Sequence, residues 1–364
     1  MVFKGIYPAP QLEPLKYGLF SAADVVTHTA RQYDERWVRG FSQEFDTRPT
    51  VRLLDNTGAE AYEIFDGSRL KRWYDVRPFF VEVEDFRSAF DVPGEDRFAR
   101  VLNQLEAATQ KAVEEELWNG WSSRADDNDN IYLTKPGACQ YASATPAEPE
   151  DHPRGLAMLE HALAHSPIGE QGFLHFPRDL ATHLGSQWLL MRVEDDRTGK
   201  KHIETVNGTT VSVGAGNSGD GPLHEVTTKA LTSNVATITT SDPHYLAANE
   251  TVRVSGVGAP FDGEWVVKAA PTPTTFTFDV NDSNVGSTSA TGLVQMVATN
   301  DIKWMFATGH TYVHLGKPEL VNESLGQGFD VSGSQNDMRI KALRPAAVYF
   351  DPTLHYAIKV RLTA

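Results

Sequence analysis

One long amphipathic stretch, residues 95–118, constrains the fold of this chain more than any other feature. Its apolar side chains recur with the 3.6-residue period of an α-helix, at Phe98, Val101, Leu102, Leu105, Ala108, Ala112, Val113 and Leu117. Acidic residues and Pro93 precede the stretch, and Asn119-Gly120 follows it, as is typical of helix ends. These 24 residues would span about 36 Å, more than the mean globular helix. The pattern predicts a helix that organises its domain.

The residues before this helix have a different character. Residues 50–83 contain the alternating runs "TVRLLD", "AYEIFD", "LKRWYDV" and "PFFVEVED", separated by turn sequences, and predict a long hairpin or extended loop. Residues 1–49 are rich in proline and aromatic residues, with only short helical hints around Val25, Val26, Ala30 and Trp37. This arm has little core of its own, and we expect it to pack on the rest of the chain or on a neighbouring subunit.

After the long helix the pattern is mixed. Residues 155–166 and 177–185 predict two further helices, with the strand "GFLHF" between them. The runs "SQWLLMRVED" and "TVNGTTVSVG" continue as strands. We therefore expect an α+β core.

The composition changes sharply at residues 224–297, which are dense in Thr, Val, Ser and Gly and show no helical period. Short alternating runs such as "VATITT", "ETVRVSG" and "TTFTFDV" are separated by Gly, Pro and Asn turns, which is typical of a small all-β sandwich. Mixed composition resumes after residue 297, so this segment interrupts one domain instead of separating two. We interpret it as an insertion at a loop.

Charge and cysteine content exclude several classes of protein. The formal net charge is −15 and no cluster of Lys or Arg stands out, so tight DNA or RNA binding is not expected. No run approaches the roughly 18–20 apolar residues of a membrane span, and prolines interrupt the first residues where an export signal would be apolar. The single cysteine, Cys139, excludes an internal disulfide and is expected to be an inert thiol.

A glycine-rich motif raises the question of a dinucleotide cofactor. Gly214, Gly216 and Gly219 have the G-x-G-x-x-G spacing of that fingerprint. The fingerprint requires a following helix, but Pro222 and a β-branched run stand there instead. The sequence therefore predicts no cofactor, and an exposed, flexible loop that enters the insertion close to Thr299.

Two other patterns resemble metal sites and lack essential ligands. His161 and His165 share a helix face, with His152, His175 and His183 nearby in sequence, but Ala162 stands where the zinc-protease motif has its glutamate. Asp126, Asn128 and Asn130 resemble the start of a calcium loop, but Ile131 and Gly137 replace its glycine and its final carboxylate. Packed or solvated side chains are the favoured interpretation of both, and no metal is predicted.

Nucleophile and sugar-binding patterns are equally incomplete. No G-x-S-x-G sequence is present, Cys139 has no activating signature and Ser218 lies in the glycine-rich segment, so no catalytic residue is predicted. Trp265, Tyr245 and Phe261 could form an aromatic platform for a sugar, although a tryptophan in a sandwich usually belongs to its core.

The order of arm, strand-rich loop, long helix, α+β core and insertion resembles the major capsid proteins of tailed bacteriophages, which have the HK97-like fold. Five sequence segments resemble members of this family from actinobacterial phages. They are "RPFFVEVEDFRSAF", "LEAATQKAVEEELWNG", "GFLHFPRDLATHLG", "TVNGTTVSVGAGNSGDGP" and "RPAAVYFDPTLHYAIKV". The insertion resembles the immunoglobulin-like modules of phage structural proteins, through "ATITTSDPHYL" and "VRVSGVGAPFDGEW".

This resemblance implies a domain plan. Residues 1–49 would be the N-terminal arm, 50–93 the E-loop, 94–223 with 298–364 the P-domain and A-domain, and 224–297 the insertion. The E-loop and the arm would overlap neighbouring subunits and so cover exposed strand edges. Lys71, Arg72 and Trp73 in the E-loop are the predicted assembly residues. Lys71 is also the candidate for the intersubunit isopeptide bond that some members form; no partner asparagine is identified, and we expect no crosslink.

The implied function is structural and not enzymatic. Copies would assemble as hexamers and pentamers into an icosahedral virion capsid around double-stranded DNA, after synthesis in the host cytoplasm, with an outward-facing insertion. Separate scaffolding, portal and decoration proteins are the expected partners, and neither a cofactor nor a membrane is implied. The alternatives are an encapsulin-type nanocompartment shell and a carbohydrate-binding or cell-wall module.

Overall fold

The structure of the protein, a computed structural model, describes residues 15–28, 41–45, 51–54, 60–65, 72–88, 97–165, 172–194, 200–321, 330–332 and 337–362. Within these residues the fold is α+β and rich in strands. The helices are α1 (Leu19–Ala22), α2 (Arg97–Asn119), α3 (Trp121–Ala125), α4 (His152–Ala164) and α5 (Arg178–Ser186). No helix among them is both long and apolar enough to cross a membrane.

Helix α2 confirms the long helix that the apolar period predicts, to within two residues at either end. Val101, Leu105, Val113 and Leu117 are buried, as expected, while Phe98 at the first turn is partly exposed. The buried face packs against a long two-stranded ribbon made of strands β6 (Phe79–Ser88) and β25 (Asp337–Phe350). These two strands pair antiparallel from Phe79↔Ala346 to Ser88↔Asp337.

The ribbon belongs to the first sheet. Strand β25 also pairs with β22 (Thr311–Leu315), β23 (Glu319–Val321) and β24 (Asp330–Ser332), all antiparallel. The N-terminal strand β1 (Asp24–Thr27) adds to β22 in parallel. The first sheet therefore joins the chain's beginning to its end.

The second sheet lies under the two shorter predicted helices, α4 and α5. Its order is β10 (Leu190–Glu194), β11 (Lys201–Thr205), β12 (Thr210–Ser212), β9 (Phe173–His175), β21 (Ile302–Thr308), β26 (His355–Arg361) and β7 (Gln140–Tyr141), with β8 (Glu150–Asp151) also on β26. Leucines of the two helices pack with Met305, Ile358 and Val360 in a second core cluster.

The third sheet contains the strands between residues 223 and 296, and these pair only with one another. They are β13 (Leu223–Thr232), β14 (Val235–Thr240), β15 (Thr251–Ser255), β16 (Gly263–Val266), β17 (Ala269–Thr272), β18 (Thr275–Asp279), β19 (Val285–Ser289) and β20 (Leu293–Met296). Strand β13 pairs with β20 at its start and with β14 and β19 further on. We call this segment the inserted sheet; Ile238, Val252, Phe276 and Phe278 are fully buried in it.

Two further strand pairs involve the segment 50–83 that the sequence predicts as an extended loop, although one of their strands, at residues 41–45, falls in the predicted N-terminal arm. Strand β2 (Phe41–Phe45) pairs with β5 (Arg72–Val76), and β3 (Val51–Leu54) pairs with β4 (Glu60–Phe65), both antiparallel. Neither pair joins another described strand. The strand prediction for this region is confirmed in its described residues.

The helical hints of the arm are wrong for residues 23–28. Helix α1 ends at Ala22, and the following residues form β1. Val25, Val26 and Thr27 are β-branched and favour a strand, and β22 offers a free parallel edge on which their backbone groups find partners. Ala30 and Trp37 lie outside the described residues.

Candidate assembly surfaces

The glycine-rich loop does not have the exposed character that the sequence predicts. Gly214, Gly216 and Gly219 are buried, and the loop runs along helix α2. A Cβ atom on Gly216 would lie 2.5 Å from the backbone nitrogen of Glu115, so only glycine allows this approach. Gly214 and Gly216 therefore allow close packing of the loop backbone on the long helix.

Glu114 explains why the loop is held so tightly. Its buried carboxylate accepts hydrogen bonds from the backbone N–H of Leu19 (2.8 Å), the backbone N–H of Gly216 (3.1 Å) and the side chain of Gln110 (3.0 Å). Burial raises the pKa of this carboxyl above its usual 4.5, and the hydrogen bonds only partly oppose the shift. One acidic side chain thus joins the N-terminal segment, the long helix and the glycine-rich loop.

The same loop leads directly into the inserted sheet. The backbone N–H of Trp304 donates to the carbonyl of Gly219 at 2.9 Å, and that of Ala298 donates to Oδ1 of Asp220 at 2.8 Å. The two ends of the insertion therefore meet next to Thr299, as the sequence predicts.

A buried ion pair ties the inserted sheet to the second sheet. Nζ of Lys359, on β26, lies 2.9 and 3.1 Å from the carboxylate oxygens of Glu250, just before β15, and also donates to the carbonyls of Ala147 and Tyr245. Both charged side chains are almost completely buried. Burial lowers the pKa of Lys359, and the Glu250 carboxylate opposes that shift. Sequence reasoning missed this pair because its members are 109 residues apart.

The candidate metal residues have other partners. Nδ1–H of His165 donates to the carbonyl of His161 at 2.9 Å, in the manner of a helix end. Asn130 exchanges two hydrogen bonds of 2.8 Å with the backbone of Arg77, so it fixes a loop. No group of three or more His, Cys, Asp or Glu side chains suited to a metal ion is found in the described part of the chain.

Cys139 and the aromatic trio are packed against other side chains. Burial raises the pKa of the Cys139 thiol to about 12, which leaves it protonated at neutral pH and weakly nucleophilic. Phe261 is fully buried, Trp265 stacks on Phe278 and Tyr245 packs on Tyr141. The three rings therefore do not form the open platform that sugar binding requires.

Two of the three predicted assembly residues lie on β5. Arg72 and Trp73 pair with Phe45 and Glu44 of β2, while Lys71 falls outside the described residues. Their assignment to assembly stays a prediction.

The N-terminal segment is docked on its own subunit through residues 15–28. Leu19 is fully buried, and the carbonyl of Tyr17 accepts a hydrogen bond from the backbone N–H of Val213 at 3.0 Å. Further along, the backbone N–H of His28 donates to the carbonyl of Leu315 at 2.7 Å. The sequence left open whether the arm packs on the rest of its own chain or on a neighbouring subunit. Residues 15–28 pack on their own chain.

Comparison with solved structures aligns nearly the whole chain with chains of a GTA capsid and of phage structures. The capsid of a native GTA particle matches with a TM-score of 0.45 and 8% identity, over 99% of this chain and 95% of that chain. The corresponding values for Gordonia phage Cozz are 0.45, 9%, 99% and 91%. For Mycobacterium phage Ogopogo they are 0.39, 14%, 99% and 96%. No protein-family model and no curated protein matches the sequence.

Proposed function

We propose that the chain is the major capsid protein of a tailed bacteriophage, with the HK97-like fold, and that its copies assemble into an icosahedral shell around double-stranded DNA. The observation that carries the proposal is the contrast within one subunit. A core built on helix α2 and the β6–β25 ribbon stands beside two strand pairs, β2–β5 and β3–β4, that join no other described strand. A short isolated two-stranded hairpin is marginal in water, so such strands gain stability by packing on another copy.

In this proposal residues 50–93 serve as the loop that reaches a neighbouring subunit, and residues 224–297 form the outward-facing insertion. Hexamers and pentamers would be the building units, and scaffolding and portal proteins would be separate chains. The role in this proposal is structural. The net charge of −15 suits a shell that contacts its genome weakly.

The test is assembly of the purified chain. Sedimentation velocity and negative-stain electron microscopy should show closed shells for the natural protein. A control variant in which residues 51–65 are replaced by a short Gly-Ser linker should remain folded and sediment as single subunits or small oligomers. A natural chain that stays monomeric at high concentration, also when coexpressed with other structural proteins of the phage, would contradict the proposal.

A further inference from the structure

Three cationic side chains that form no ion pair within the described part of the chain lie around Tyr17. The guanidinium of Arg178 donates to the carbonyl of Lys16 at 2.6 Å, and the guanidinium carbon of Arg192 lies 5.3 Å from the centre of the Tyr17 ring. Lys16, Arg178 and Arg192 have no carboxylate within 4.0 Å among the residues that the structure covers. In a chain with 48 acidic and 33 basic residues, such a cluster calls for an explanation.

Two cavities open on either side of Tyr17 and extend the cluster. One, of about 460 Å³, is lined by Arg178 and Arg192. The other, of about 510 Å³, is lined by Lys16, Lys200 and Lys201. Lys200 donates to the carbonyl of Ala23, and exposed Lys201 faces Glu194 at 3.4 Å. No acidic residue lines either cavity in the described structure, and we call the two together the basic groove.

The lining of the groove also decides what kind of anion it fits. Apolar side chains line the groove together with the cations. They are Leu190, Met191, Ile203 and Val213 in the first cavity and Leu15 and Phe20 in the second. A phosphodiester backbone has charge but little apolar surface to bury there. A peptide that mixes carboxylates with large apolar side chains satisfies both parts of the lining.

The β3–β4 hairpin of this chain has that composition. Strand β4 has the sequence EAYEIF, in which Glu60 and Glu63 stand among apolar and aromatic residues. The segment 51–66 contains four carboxylates and one arginine. Its two strands pair only with each other in the described structure, so their outer edges are available to a second copy.

We propose that the basic groove of one subunit receives the β3–β4 hairpin of a neighbouring copy. The inference rests on the proposed shell function and names the surface that the reaching loop contacts. The carboxylates of the hairpin approach Arg178, Arg192 and Lys16, while its apolar side chains cover the groove floor. The contact is heterologous, because groove and hairpin are different patches, as rings of subunits require.

Charge reversal tests the groove. The double variant R178E/R192E should remain folded, since both side chains reach solvent, but should lower the assembled fraction at least tenfold in sedimentation velocity. The control K268E/K317E makes the same change in net charge at exposed lysines that line neither cavity and should assemble like the natural protein. A fourfold variant, R178E/R192E/E60K/E63K, exchanges the charges of groove and hairpin and should restore most of the assembly.

The outcomes separate the inference from the proposed function. If the natural chain does not assemble, the shell function fails. If it assembles and folded R178E/R192E assembles equally well, only the inference fails. If the fourfold variant is folded but does not recover assembly, the hairpin is not the occupant of the groove. Normal assembly of R178E/R192E with lost binding to a short DNA duplex would assign the groove to nucleic acid instead.

Isotope labelling tests whether the contact joins two copies. Shells assembled from equal amounts of ¹⁴N and ¹⁵N protein are treated with a carbodiimide, which joins neighbouring Lys and carboxylate side chains. Crosslinked peptides containing Lys16 and Glu60 or Glu63 should include mixed ¹⁴N/¹⁵N pairs. Crosslinks found only within single copies would overturn the proposal.

Discussion

The inserted sheet and the junction that joins it to the rest of the subunit, made by the glycine-rich loop on Glu114 and by Lys359 on Glu250, are stabilised in opposite ways. The inserted sheet has an apolar centre of residues such as Ile238, Phe276 and Phe278, all fully buried. The junction instead buries charged groups, Glu114 among backbone N–H donors and Lys359 against Glu250. Apolar burial is non-directional and tolerates small changes, whereas a buried charge depends on every partner being in place. We therefore expect a substitution at the junction to disturb the relative positions of the segments, and with them assembly, more than a substitution inside the inserted sheet.

The largest effect is expected from breaking the ion pair. Lys359→Met leaves Glu250 as a buried charge without its cation and should lower the free energy of unfolding by about 3–5 kcal/mol. Hydrogen exchange should show faster opening of residues 223–296 together with β26. The double variant Lys359→Met/Glu250→Gln should recover most of the loss, because no unpaired charge then remains. A loss below about 1 kcal/mol in the single variant would contradict this view of the junction.

A second, pH-dependent effect is expected at Glu114. Glu114→Ala leaves the N–H groups of Leu19 and Gly216 unsatisfied and should cost about 1–3 kcal/mol, measured by denaturant unfolding of unassembled subunits. Because the pKa is raised in the folded state, the contribution of Glu114 is complete below about pH 4.5 and declines as the pH rises through the folded pKa. The difference between natural and variant protein should therefore shrink with rising pH.

Glu115→Ala is the matched control for this prediction. Glu115 is the next residue of the same helix, and its exposed carboxylate pairs with Lys111 at 3.4 Å. Its removal should change stability by less than about 0.5 kcal/mol. A difference for Glu114→Ala that grows with pH would show that the carboxylate is favoured by its surroundings, contrary to the direction of the pKa shift.

The smallest effect is expected inside the inserted sheet. Ile238→Val removes one buried methyl group and should cost about 0.5–1.5 kcal/mol at any pH. Shell assembly should be unchanged, because Ile238 lies in the apolar centre of the insertion. A pH-dependent loss, or a loss of assembly, would mean that the inserted sheet is coupled to the junction more strongly than its apolar core suggests.

Periodicity predicted much of the fold from local sequence. The stripe from Val101 to Leu117 predicted the long helix, and the alternating runs predicted the strands of the inserted sheet and β3, β4 and β5, whereas β2 lies in the segment predicted as an arm. The stripe also contained an overlooked signal, since Gln110 and Glu114 lie one turn apart on its buried side. Polar residues at core positions indicate a buried network, although they do not name its partners.

The helical prediction for residues 23–28 was wrong because pairing with a distant strand outweighed the local preference. Short segments have weak propensities, and the edge of β22 decided the conformation of β1. The basic groove could not be predicted either, because Lys16 and Arg178 are 162 residues apart in the sequence.

The sequence by itself determined the long helix, the two shorter helices, the alternating strands of the insertion and the incompleteness of the cofactor and metal motifs, because those properties depend on neighbours a few residues away. Only the tertiary structure decided that Gly214 and Gly216 lie buried against Glu114, that Lys359 reaches Glu250, and that cations lie around Tyr17. Those contacts join residues about 100 or more positions apart, and their energies depend on burial and exact donor placement, which no local pattern encodes.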